Sequence, residues 1–234
     1  PDYFIHEKLE FLCESKDDLR VPESVCYDDA RNKIYVSNID GKPSEKDGNG
    51  FISMLTTEGD IMNLKWVDGL DAPKGMGIHK GSLFVADIDN LRIIDLASGS
   101  IEKTIAVEGA EFLNDITVLP AGDVYISDMS TNRIYHYKDG EIRLWLRSET
   151  LDKINGLFAT KEFLYVGMKD EIVRVEYLSR RIHPFLKNTG GVDGLENLRG
   201  DYFLFSDWQG RVYQGQTEQG IIKLLDSRSA NKNA

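Results

Sequence analysis

The sequence has few of the residues that would build a disulfide framework or a membrane anchor. Its 234 residues include two cysteines, Cys13 and Cys26. Two are too few for a disulfide scaffold, and their separation matches no CxxC-type metal motif. They read as half-buried thiols, with a single disulfide as the alternative. No apolar run approaches the length of a membrane helix, and stretches such as Phe203–Phe205 are typical. Neither a GxSxG elbow nor an HExxH pair occurs, so serine-hydrolase and zincin chemistry lack support. Apolar residues rarely recur at helical spacing, which argues against helical repeats. Proline is sparse and glycine is scattered, so no segment reads as a linker, and residues 1–234 are taken as one domain. The formal net charge of −11 disfavours phosphate backbones and anionic membrane surfaces, so neither nucleic acid nor membrane is an expected partner.

What the chain does contain is strand-and-turn grammar. Short runs rich in Val, Ile, Tyr and Phe alternate with Gly, Asp and Asn. Five stretches align: Val21–Val25, Ala72–Met76, Phe112–Ile116, Lys153–Leu157 and Gly191–Leu195. Each is followed by a second strand, such as Lys33–Asn38, Ser82–Asp87, Asp123–Asp128, Phe163–Gly167 and Tyr202–Asp207. Third and fourth strands follow, and Asp139-Gly140 marks a hairpin between Asn132–Tyr137 and Glu141–Leu146. The period is about forty residues, which with four strands per unit predicts an all-β propeller. The first interval is stretched by an insertion at Gly41–Gly50.

Five full repeats are visible, preceded by the strand-like Phe4–Leu12. A six-bladed ring with an incomplete sixth blade is expected, a closed five-bladed ring being the alternative. An unclosed ring exposes strand edges and offers a route to association.

First strands of propeller blades line the central channel. The five equivalent positions there hold Glu23, Lys74, Asn114, Asn155 and Asp193. Two carboxylates and two amide oxygens make a hard-oxygen set suited to a divalent cation. Asn and Asp at strand starts also serve as plain turn formers, but four at one repeat-equivalent position point to a shared site.

The segments Pro22-Glu23-Ser24-Val25, Leu113-Asn114-Asp115-Ile116, Asn155-Gly156-Leu157 and Asp193-Gly194-Leu195 occur in order at blade spacing. With them the chain, over roughly residues 20–215, resembles the gluconolactonase and regucalcin (senescence marker protein) family of lactonases, which also includes luciferin-regenerating enzymes. The resemblance implies six blades and hydrolysis of a sugar or other small lactone. It also implies a metal held by Glu23, Asn155 and Asp193, Ca²⁺ first, with Zn²⁺ or Mg²⁺ as alternatives. Asn114 is then placed beside the metal, meeting substrate or metal. Asp193 or another nearby carboxylate would take a proton from the attacking water. Lys74 departs from the oxygen set. Its ammonium either pairs with Glu23 or Asp193, binds substrate, or snorkels to the rim.

Other residues read more simply. Asp87, Asp128 and Asp207 with Arg92, Arg133 and Arg211 suggest turn-stitching pairs. His6, His79, His136 and His183 share no blade position and are read as ordinary. Trp66 and Trp145 fall in fourth strands, where packing between blades is expected, and Trp208 lies in a loop. A small-molecule substrate is the expected partner. A non-catalytic propeller binding a ligand or protein is the competing class, because fold alone does not set function. A chain beginning Pro1 without methionine is read as having an upstream segment removed or left out, and an exported or periplasmic location is favoured over a cytoplasmic one.

Overall fold

The computed structural model describes residues 4–16 and 18–228. Strand β1 (Phe4–Ile5) is followed by five antiparallel four-stranded sheets. Blade one is β2 (Pro22–Asp28), β3 (Lys33–Asn38), β4 (Gly50–Leu55) and β5 (Ile61–Leu70). Blade two is β6 (Pro73–His79), β7 (Ser82–Asp87), β8 (Asn90–Asp95) and β9 (Ile101–Ala106). Blade three is β10 (Leu113–Val118), β11 (Val124–Asp128), β12 (Arg133–Lys138) and β13 (Glu141–Arg147). Blade four is β14 (Leu157–Ala159), β15 (Phe163–Gly167), β16 (Glu171–Glu176) and β17 (Ile182–Lys187). Blade five is β18 (Leu195–Arg199), β19 (Tyr202–Asp207), β20 (Arg211–Gln216) and β21 (Gly220–Asp226). The β12–β13 hairpin turns on Asp139 and Gly140, both at positive φ, as a tight two-residue turn requires.

Second strands are buried on both faces, so their sequences are nearly continuous in apolar residues: β11 is Val-Tyr-Ile-Ser-Asp and is buried throughout. Outer strands such as β13 keep most of their residues at least partly open to water. Core packing lies between blades. Tyr35, Ile52 and Val67 of blade one meet Met76, Leu83 and Ile94 of blade two. Similar clusters join blades two and three, three and four, and four and five. Trp145 is buried in the third of these junctions, edge-on to Tyr125, and Trp66 packs on Tyr35.

The expectation of six blades is corrected: the described residues form five. Phe4–Ile5 seeds no sixth sheet. It pairs with β21 as a fifth strand on the outer edge of blade five, with Phe4 opposite Asp226. The chain then crosses to blade one, where Cys13 Sγ faces the Thr57 carbonyl at 3.7 Å and Arg20 N–H donates to Asn38 Oδ1 at 2.8 Å. This strap joins the two ends of the blade series.

Among the described residues no core cluster joins blade five to blade one. Val25 is 68% exposed, whereas its repeat equivalents Met76, Ile116, Leu157 and Leu195 are 7% exposed or less. On blade five, Leu204 is only half-buried, though its equivalents Tyr35, Phe84, Tyr125 and Tyr165 are buried. Trp208 is exposed, as is its equivalent Lys169, whereas Ile39 and Ile88 are buried. Val25 and Leu204 belong to no core cluster. Both cysteines are free; Cys26 is half-buried as expected, but Cys13 is exposed.

Candidate functional site

Inner strands carry register irregularities where the candidate residues sit: between Pro22 and Val25, Pro73 and Met76, and Leu113 and Ile116. A bulge re-aims the side chains it contains. A second repeated device fixes the bulged backbone. Ser37, Ser127 and Ser206, each next to last in its second strand, accept the N–H of the residue after the candidate position. The donors are Ser24, Asp115 and Gly194, each at 2.9 Å. Ser127 Oγ also donates to the Asn155 carbonyl at 2.8 Å, tying blade three to blade four. At the strand end, Asp87 accepts N–H bonds from Asp71 and Ala72, and Asp128 from Glu111 and Phe112. Arg92 and Arg211 pair with Asp87 and Asp207, but Arg133 turns to the Gly109 carbonyl.

Glycine follows Lys74 and Asn155 because the next blade presses there. A Cβ on Gly75 would lie 2.5 Å from Asp115 Cα, and one on Gly156 would lie 2.6 Å from the Asp193 carbonyl oxygen.

These contacts place Glu23, Asn114, Asn155 and Asp193 in the wall of one central cavity of about 550 Å³ lined by all five blades. Asn155 Nδ2 donates to Asp193 Oδ1 at 2.6 Å. Asn114 is 4% exposed, and its Oδ1 has no hydrogen-bond partner. Lys74 is buried but is not part of the wall. Its Nζ donates to the Ala72 carbonyl at 2.9 Å and lies 4.4 Å over the Phe112 ring. None of the four histidines lines the cavity.

Asp115 and Glu196 also line the cavity, and sequence reasoning had not singled them out. Asp115 accepts N–H bonds from Leu157 at 2.6 Å and Ile116 at 2.8 Å. The signal was available in part, since Asp115 stands directly after Asn114. Its repeat equivalents, however, are Ser24, Gly75, Gly156 and Gly194, which carry no charge.

The cavity is electrostatically frustrated. Desolvation, then repulsion from Asp193 and Asp115, holds Glu23 well above the usual carboxylate range, and Lys74 opposes this. Burial raises Asp115 to about 7 despite its two N–H donors. Burial also raises Asp193 and Glu196, the Asn155 bond partly offsetting the rise at Asp193. Burial lowers Lys74 to about 8, with Glu23 pulling the other way. Burial, followed by nearby carboxylates, pushes the Cys26 thiol up to about 12, so it is a poor nucleophile.

Among the described residues no group of three His, Cys, Asp or Glu side chains is arranged to hold a metal ion. Oxygen donors at the cavity are the carboxylates of Glu23, Asp115, Asp193 and Glu196 with the amides of Asn155 and Asn114. The unpartnered Asn114 oxygen and the crowded carboxylates fit a cation.

No protein-family model matches the sequence, and no curated protein matches it. Solved structures do share the fold. A chain of the nidogen/laminin complex aligns with a TM-score of 0.70 at 15% identity, covering 88% of this chain and 83% of that one. Virginiamycin B lyase from Staphylococcus aureus aligns at 0.64 and 20% identity, covering 88% and 70%. Its catalytically inactive H270A form with quinupristin aligns at 0.62 and 16%, covering 87% and 83%. Likeness at these identities establishes the β-propeller and nothing finer.

Proposed function

We propose that the central cavity is the site of a metal-dependent hydrolase of the gluconolactonase type, which opens a small lactone to its hydroxy acid. The observation that carries this reading is the meeting of Glu23 and Asp193, both raised in pKa, with the orphaned Asn114 oxygen. Buried like charges and an unpaired acceptor cost stability unless a cation or a ligand donor compensates them.

Glu23, Asn155 and Asp193 would hold the ion, and Asn114 would face both ion and substrate. A bound divalent cation would supply the positive charge that polarises a lactone carbonyl. Asp193 would take a proton from an attacking water as the water oxygen bonds to the lactone carbonyl carbon. The ester C–O bond then breaks, and the leaving alkoxide receives that proton. Asn155, through its bond to Asp193, fixes the carboxylate's orientation. Lys74 sits behind the wall as a counter-charge to Glu23 rather than as a substrate contact.

The test is proton release from γ-butyrolactone and glucono-δ-lactone in a pH-stat, with chelated protein and after adding Ca²⁺, Zn²⁺ or Mg²⁺. Metal-dependent turnover that is lost in Asp193→Asn supports the proposal. Absence of turnover with every metal and both substrates refutes it.

A further inference from the structure

Blade four lacks the serine that steadies the inner strand of blades one, three and five. Where those blades carry Ser37, Ser127 and Ser206, β15 carries Gly167, which has no hydroxyl. A Cβ there would lie 2.4 Å from Val192 Cγ1, so no side chain fits. The inner strand β14 is also the shortest of the five, and it begins only after Asn155. Blade three supplies the missing support with its own side chains. Asp115 Oδ2 accepts the Leu157 N–H at 2.6 Å, and Thr117 Oγ1 accepts the Ala159 N–H at 3.0 Å. Both donors belong to the edge strand of their sheet, where a backbone N–H has no ladder partner. Ser127 Oγ accepts the Asp115 N–H and donates to the Asn155 carbonyl, so blade three grips the chain on both sides of Gly156. Gly156 itself lies against the Asp193 carbonyl, and Asn155 Nδ2 reaches Asp193 Oδ1 at 2.6 Å.

Resting on the cation-site reading, we propose that Asp115 is the positioning residue for Asn155: by holding the Leu157 N–H it sets the direction in which the Asn155 amide meets Asp193 and the ion. Both Asp115 oxygens are engaged by backbone donors, Oδ1 by Ile116 N–H at 2.8 Å and Oδ2 by Leu157 N–H. Its influence therefore runs through the backbone of residues 155–157 rather than through contact with the ion. At the same repeat position the other blades carry Ser24, Gly75, Gly156 and Gly194, so this carboxylate serves one junction alone. Thr117 holds the same strand two residues further from Asn155, which makes it the control for a purely structural role.

The test is a double-mutant cycle on cation affinity, read by calorimetric titration with Ca²⁺, Mg²⁺ and Zn²⁺. Asp115→Ala should weaken binding by about tenfold to a hundredfold, the scale of a lost outer partner. In an Asn155→Ala background the same change should cost about threefold or less, the share of a screened charge alone. Thr117→Val should lower the urea midpoint and leave affinity unchanged. Should Asp115→Ala not fold, Asp115→Asn, which keeps one acceptor oxygen, takes its place in the cycle. A second readout needs no metal. The Asn155 side-chain NH₂ signals, assigned by their loss in Asn155→Ser, should move towards exposed-amide positions in Asp115→Ala and stay in place in Thr117→Val. Equal weakening in both backgrounds would make Asp115 an ion ligand and overturn the proposal. So would NH₂ signals that Asp115→Ala leaves in place, or that Thr117→Val moves as far. Moved signals in a protein that binds none of the three ions would keep the positioning role and remove the metal reading.

Discussion

Ser127→Ala removes one hydroxyl and should disturb two blades at once. Its Oγ accepts the Asp115 N–H at 2.9 Å and donates to the Asn155 carbonyl at 2.8 Å, and Ser127 is fully buried. Alanine leaves both backbone groups without a partner. Each unsatisfied buried group costs about 1–3 kcal/mol, and water in the adjoining cavity can relieve part of that. The expected loss is therefore about 2–4 kcal/mol, or a fall in Tm of roughly 5–15 °C for a domain of this size. Ser37→Ala is the matched control. Ser37 makes the same bond to Ser24 N–H at 2.9 Å but none across to another blade, so it should cost about half as much. Urea unfolding followed by tryptophan fluorescence measures both, because Trp145 is buried between blades three and four. The midpoint should fall with an unchanged slope. If Ser127→Ala costs no more than Ser37→Ala, the bond between blades contributes nothing and the reasoning fails.

Three further outcomes are expected. Gly75→Ala should destabilise by about 1–3 kcal/mol, since its Cβ would press on the Asp115 backbone; an unchanged urea midpoint would show that blades two and three separate freely there. Glu23 has a raised pKa in the folded state, so its charged form destabilises the metal-free fold increasingly as pH rises from about 4, the ordinary carboxylate value, through the folded value. Glu23→Gln should accordingly gain Tm relative to the parent between pH 5 and pH 8, and a constant or shrinking difference would contradict the sign. Lys74→Met removes the charge that opposes cation binding beside Glu23, so Ca²⁺ affinity should rise roughly threefold to tenfold, the scale of one screened charge pair; calorimetric titration that shows no rise would remove Lys74 from the electrostatics of the site.

Much of the fold could be read from the repeat. The strands of every blade follow from short apolar runs bounded by turn residues, such as Lys33–Asn38 and Tyr202–Asp207, and the Asp139-Gly140 hairpin from its turn chemistry. Blade number could not be read. Phe4–Ile5 carries the same strand signal whether it starts a new sheet or edges an existing one, and its partner in β21 lies at the far end of the sequence. Glu23, Asn114, Asn155 and Asp193 were legible because they share one repeat position. Asp115 and Glu196 were not, because they stand one and three residues past it, where other blades carry uncharged residues. The withdrawal of Lys74 from the cavity depends on the Phe112 ring and the Ala72 carbonyl, contacts that no spacing rule anticipates.

The proposed chemistry needs a single divalent-cation site at the cavity. Isothermal titration of chelator-stripped protein with Ca²⁺, repeated with Mg²⁺ and Zn²⁺, tests it most directly. One ion per chain is predicted for at least one metal, with affinity weakened tenfold or more by both Glu23→Gln and Asp193→Asn. No binding of any of the three ions, or binding that both substitutions leave unchanged, would contradict the claim.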